Sequence, residues 1–115
     1  MTPPKQDGPA IHPGYPWRLT IDAGALALFP SGIAIAAQFR VNVADAVVLA
    51  AISTAAGSIV RVSDSVINLV LPAADTANFK PGTAFVDLVR TDLDPAEHMG
   101  IRLQVPVIQP VTRGL

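Results

Sequence analysis

The sequence predicts an all-β protein, a sandwich of about seven antiparallel strands with one short helical turn. Three observations carry this. Apolar residues alternate with polar ones at period two along several runs, as in "WRLTID" (residues 17–22) and "IRLQVPV" (residues 101–107). Clusters of Gly, Pro, Ser and Asp punctuate those runs at short intervals. No stretch sustains the three-to-four spacing of an amphipathic helix beyond a turn or two. With 115 residues there is room for one domain and its core.

Residues 1–16 precede the first alternating run and hold five of the eleven prolines. Prolines remove backbone donors and fix φ, so this segment is expected to be an extended arm outside the core, spanning on the order of 50 Å if fully stretched. Ile11, Tyr15 and Trp17 are its candidate anchors on a partner; the competing outcome is a frayed terminus. The sandwich then occupies residues 17–113. Trp17, Leu19 and Ile21 mark the first strand, and Gly24 leads into a short apolar piece, "ALALF", stopped by Pro30, Ser31 and Gly32. "IAIAAQFRV" (33–41) places Ile33, Ile35, Ala37, Phe39 and Val41 on one face. "VVLAAI" (47–52) fits helix or strand by pattern alone; its β-branched residues and the turn residues 55–58 favour strand.

"SIVRV" (58–62) and "SVINLVL" (65–71) are joined by Ser63 and Asp64, which suits an antiparallel hairpin. Pro72 opens the helical turn within 72–79, and Pro81 and Gly82 stop it. Residues 83–91 and 101–107 are the last two strands, separated by the polar loop "TDLDPAEHMG" (91–100). Pro106 and Pro110 cannot donate to a ladder, so the last strand is expected at an edge or to stop pairing there.

Composition excludes several classes of function. Eight basic and nine acidic residues give a net charge of −1, and the cations are scattered singly, which argues against nucleic acid as a partner. The uncharged run 46–60 is too short for a membrane span of about 20 residues and is broken by Ser53, Thr54, Gly57 and Ser58. The N-terminus has no apolar centre of the kind a signal peptide needs, so a soluble, unsecreted chain without membrane contact is expected. Absence of cysteine rules out disulfides and thiolate chemistry. Only 15% of residues are charged while 50% are hydrophobic, a surface suited to assembly, as a homo-oligomer or repeated subunit.

No residue set spells out a reaction. The eight glycines are dispersed, so no phosphate loop or dinucleotide fingerprint exists, and Ser31, Ser53, Ser58, Ser63 and Ser65 lack a motif that would activate them. Asp92, Asp94, Glu97 and His98 form the densest polar cluster and are weak metal-ligand candidates, lacking the glycine and closing Glu of an EF-hand and the ligand number of a zinc site. They are expected to be solvated and to hold no metal, and no cofactor is expected. Asp87 interrupts the strand "AFVDLV", whose two faces are both apolar; it is expected to be a buried structural carboxylate, with Arg40 and Arg102 as candidate partners.

Taken in order, "WRLTID", "LFPSGIAIAAQFR", "VINLVLPAADTANFKPG", "FVDLVRTD" and "GIRLQVPVIQPVTR" resemble the small immunoglobulin-like domain of tailed-phage structural proteins, typified by the N-terminal domain of siphophage baseplate upper proteins. The resemblance covers about residues 17–113. Ala84 and Val86 stand where that family carries aromatics near the Asp. It implies an immunoglobulin-like sandwich and a non-enzymatic virion protein. Such a subunit contacts other virion proteins in the tail or baseplate, or decorates the capsid as a cement protein. The alternative class is a carbohydrate- or receptor-binding adhesion module, which needs exposed aromatics that a chain with one Trp, one Tyr and four Phe has few of.

Overall fold

Alternation along each strand decides which side chains the two sheets turn towards one another. The computed structural model describes residues 9–42, 44 and 46–112, and arranges them as seven strands and one helical turn: β1 (Trp17–Asp22), β2 (Ile35–Arg40), β3 (Ala50–Ser53), β4 (Ile59–Arg61), β5 (Val66–Leu71), α1 (Ala73–Thr76), β6 (Gly82–Arg90) and β7 (Glu97–Val107). All pairings between the strands are antiparallel, in a three-stranded sheet β1-β5-β4 and a four-stranded sheet β3-β2-β6-β7. This is the immunoglobulin-like order, in which the chain crosses between the two sheets after β1, β3 and β5 and forms hairpins between β2 and β3, β4 and β5, and β6 and β7.

The core lies between the sheets. Trp17, Leu19 and Ile21 of β1 and Ile67, Leu69 and Leu71 of β5 face Ile35, Ala37 and Phe39 of β2 and Ala84, Val86 and Leu88 of β6. Trp17 meets Phe39 edge to face at 5.7 Å between ring centroids, and Phe39 meets Phe79 in the same way at 5.7 Å. Edge-to-face contacts of this kind add about 0.5–1.5 kcal/mol per pair beyond the area they bury.

The N-terminal arm requires a correction. Ile11 is completely buried, its N–H donates to the Pro106 carbonyl (2.8 Å), and its carbonyl accepts from Ile108 N–H (2.9 Å), forming a parallel bridge to Val107. The indole N–H of Trp17 donates to the Pro9 carbonyl at 2.6 Å. The Thr76 hydroxyl, fully buried in α1, accepts from Gly14 N–H (3.1 Å) and donates to the Tyr15 carbonyl (2.7 Å). Residues 9–16 thus belong to the sandwich, and Ile11 and Trp17 are core residues instead of partner anchors. Tyr15 is half-buried, its hydroxyl donating to the Thr112 carbonyl. Prolines 9, 13 and 16 forbid a continuous ladder but leave Ile11 its own donor, enough for one bridge. Residues 1–8 of the expected arm lie outside the described residues.

Smaller departures also turn on the burial or exposure of single residues. "ALALF" is loop, with Phe29 alone buried and Leu26 and Leu28 exposed; Phe29 N–H donates to the Asp64 carbonyl and Arg61 Nε to the Phe29 carbonyl, both at 2.8 Å. Arg61 also pairs with Asp64. β3 begins only at Ala50, because Val47 and Val48 are exposed and take no part in the core. The uncharged run 46–60 becomes β3, a turn and the start of β4, and among the described residues no helix is long and apolar enough to cross a membrane. As Pro106 requires, β7 lies at a sheet edge.

Ile11→Ala is expected to lower stability by about 2–5 kcal/mol in urea unfolding, as for other large-to-small core substitutions. Thr76→Val, which strands Gly14 N–H and the Tyr15 carbonyl, is expected to cost about 1–3 kcal/mol. An arm independent of the domain would show neither loss.

Candidate functional site

Of the polar residues singled out in the sequence, Arg40, Asp87, His98 and Arg102 share the outer face of the four-stranded sheet. Antiparallel register sets Gln38, Asp87 and Arg102 side by side across β2, β6 and β7, with Arg40, Phe85 and Gln104 in the adjoining row. The opposite side chains of β6, Ala84, Val86 and Leu88, are the buried ones. Asp87 is therefore not buried between two apolar layers: its side chain is 43% exposed. The apolar look of "AFVDLV" comes from Phe85 and Val89, which lie half-buried on this outer face.

The carboxylate of Asp87 meets the imidazole of His98, Oδ2 to Nε2, at 2.8 Å. That contact depends on a bulge. Asp87 pairs with Arg102, but Val89 pairs with His98, so β7 spends two more residues than β6 across this step. Gly100 sits in the bulge at φ +74°, a left-handed conformation open to glycine at little cost, and its N–H donates to Nδ1 of His98 (2.9 Å). Uninterrupted pairing would have put His98 across from Thr91. The two-residue shift moves it one row nearer Asp87 on the same face.

The other members of the polar cluster go elsewhere. Arg90 grips Asp92 through two hydrogen bonds, Nε to Oδ1 at 3.1 Å and NH2 to Oδ2 at 2.7 Å. The guanidinium holds the Asp92 carboxyl below the usual carboxylate range, and Asp92 in turn raises Arg90. Asp94 precedes Pro95 across a cis peptide bond in the exposed turn, and Glu97 opens β7 opposite Arg90. Asp92, Asp94, Glu97 and His98 are thus not brought together, and no three acidic or histidine side chains converge into a ligand set among the described residues.

Two hollows open beside Asp87, one of about 70 Å³ lined by Gln38, Arg40, Phe85, Val86 and Arg102 and one of about 270 Å³ lined by Ala36, Ala37, Gln38, Val89 and Thr91, against roughly 300–1,000 Å³ for a small-molecule pocket. A wider, open depression at one end of the sandwich, lined by His12, Tyr15, Pro110, Val111 and Thr112, is an apolar surface, with His12 Nδ1 and the Tyr15 hydroxyl both bonded to backbone carbonyls. An aspartate–histidine pair activates a nucleophile only when one lies within hydrogen-bond reach. Ser53, Ser58 and Ser63 instead bond backbone groups in the β3–β4 and β4–β5 turns.

Sequence reasoning placed His98 in a solvated loop and missed its partnership with Asp87. The signal was Gly100, a glycine beside an alternating strand, which marks a bulge. Comparison with known proteins returns no matching family model and no similar curated sequence.

Gly100→Ala forces a residue with a Cβ into the left-handed region and is expected to cost about 1–2 kcal/mol, with loss of the Asp87–His98 hydrogen bond in NMR spectra. The depressed Asp92 carboxyl favours the folded state above its unfolded titration range, and that contribution fades as pH falls through the folded value. Arg90→Gln is expected to return the Asp92 carboxyl, followed by carbon NMR, to the ordinary carboxylate range.

Proposed function

We propose that this chain is a non-enzymatic structural subunit of a tailed-phage particle, acting through protein–protein contacts in the tail or baseplate or as a capsid decoration protein. The observation that carries the reading is the surface. Large apolar side chains stand in solvent over much of the molecule, among them Leu26 at 61%, Val47 at 69%, Val62 at 57% and Val111 at 94% exposed. In a domain with 15% charged residues, these side chains are the surface available for contacts with other subunits. The immunoglobulin-like strand order and the resemblance of the five quoted segments to phage structural domains supply the setting.

The adhesion reading finds less support. Trp17, Phe29, Phe39 and Phe79 are buried, which leaves Tyr15 and Phe85, both half-buried, for stacking on a sugar.

The test is addition of purified, labelled protein to tailed-phage particles that lack the native subunit, followed by cryo-EM. Density for the domain at regular, symmetry-related positions on the tail, baseplate or capsid is the expected result. Failure to bind any particle component, together with saturable binding to a glycan array, would overturn it in favour of adhesion.

A further inference from the structure

The three-stranded sheet turns one face to the core and the other to solvent, and on the solvent face valines stand beside a single pair of opposite charges. It carries Arg18, Thr20 and Asp22 from β1, Val66, Asn68 and Val70 from β5, and Val60 from β4, with exposed Val62 just beyond. Register lines them up in rows: Thr20, Asn68 and Val60 lie side by side across the three strands, Arg18 lies beside Val70, and Asp22 beside Val66. Arg18 and Asp22 are the only charges these strands place on the face. They flank the Thr20 row at opposite ends of β1, one of each sign.

We infer that this face is the contact between two copies of the chain, related by a two-fold axis that lies along the row Thr20, Asn68, Val60. Rotation about that row carries Arg18 onto Asp22 of the second copy, and Asp22 onto its Arg18. Val70 falls over Val66 of the second copy, and Val60 over its own counterpart. Each charge meets its opposite and valine meets valine, the self-complementarity an isologous interface needs. An axis along β1 would instead set Arg18 against Arg18 and Asp22 against Asp22. At the centre, the Thr20 hydroxyl donates to Oδ1 of Asn68 at 2.7 Å, which leaves the amide donors of Asn68 for its counterpart across the axis.

This names the partner for one surface of the subunit proposed above and rests on that reading for its biological setting, while the contact itself is testable on the isolated chain. Sedimentation velocity at low salt is expected to give the mass of two chains. Arg18→Asp and Asp22→Arg, each replacing two attractive pairs by repulsive ones, are each expected to weaken the dimer about ten-fold or more, and the double variant to restore it. Val60→Lys, which sets two ammonium groups face to face, is expected to give monomer, with circular dichroism melts verifying that each variant is folded. A wild-type monomer at the highest soluble concentration overturns the inference, as does a dimer indifferent to Arg18→Asp and Val60→Lys, or a double variant no better than the singles. The outcomes separate the two proposals. A monomer that still docks on particles overturns the two-fold contact alone and assigns the face, if Val60→Lys blocks docking, to a different virion protein. A dimer made through this face by a chain that binds no particle overturns the phage reading alone.

Discussion

The edge-to-face contact between Trp17 and Phe39 joins the two sheets, and the rest of the sandwich is arranged around it. In antibody domains the buried tryptophan packs against a disulfide that links the sheets. This chain has no cysteine, and its tryptophan sits on the first strand of the three-stranded sheet, so aromatic packing takes the place of the covalent link. Phe79, in the connection that follows α1, closes the other side of Phe39. The small helical turn is thereby fixed against the core instead of swinging with its loop.

The same tryptophan explains why a proline-rich segment is held. Its indole N–H would be buried without a partner if the Pro9 carbonyl were removed, so residues 9–17 form a closed strap from the indole, past Ile11 on β7 and Thr76 in α1, back to β1. The strap covers the end of β7 where Pro106 offers no N–H but does offer a carbonyl, which Ile11 takes. Two prolines that look like interruptions thus frame a complementary join: one residue with a donor between prolines, docked on one proline with an acceptor.

Strand type was legible because period two separates the faces wherever a run exceeds about four residues, as in β1 and the second half of β7. What escaped was decided by single residues. Ile11 and Phe29 are buried with no alternating neighbours to announce them, and Val47 and Val48 are β-branched yet exposed, so local pattern misplaced the arm boundary and the start of β3. Asp87 was misread for a related reason: alternation assigns faces but not which face is covered, and the half-buried Phe85 and Val89 imitate a second core. The Asp87–His98 pair joins residues eleven apart whose meeting depends on the count of residues in a bulge, a quantity that hydrophobic pattern does not encode.

The bulge at Gly100 also bears on how far association can run. β7 is eleven residues long, and beyond β6 its backbone meets another backbone segment, among the described residues, only where Ile11 reaches Val107. A long bare strand edge is a template on which further chains can add without end. Two surplus residues between Arg102 and His98 break that template in the middle, since a neighbouring strand that follows it in register from one side is out of step on the other. Edge-to-edge growth, which yields fibres, is thereby disfavoured along β7.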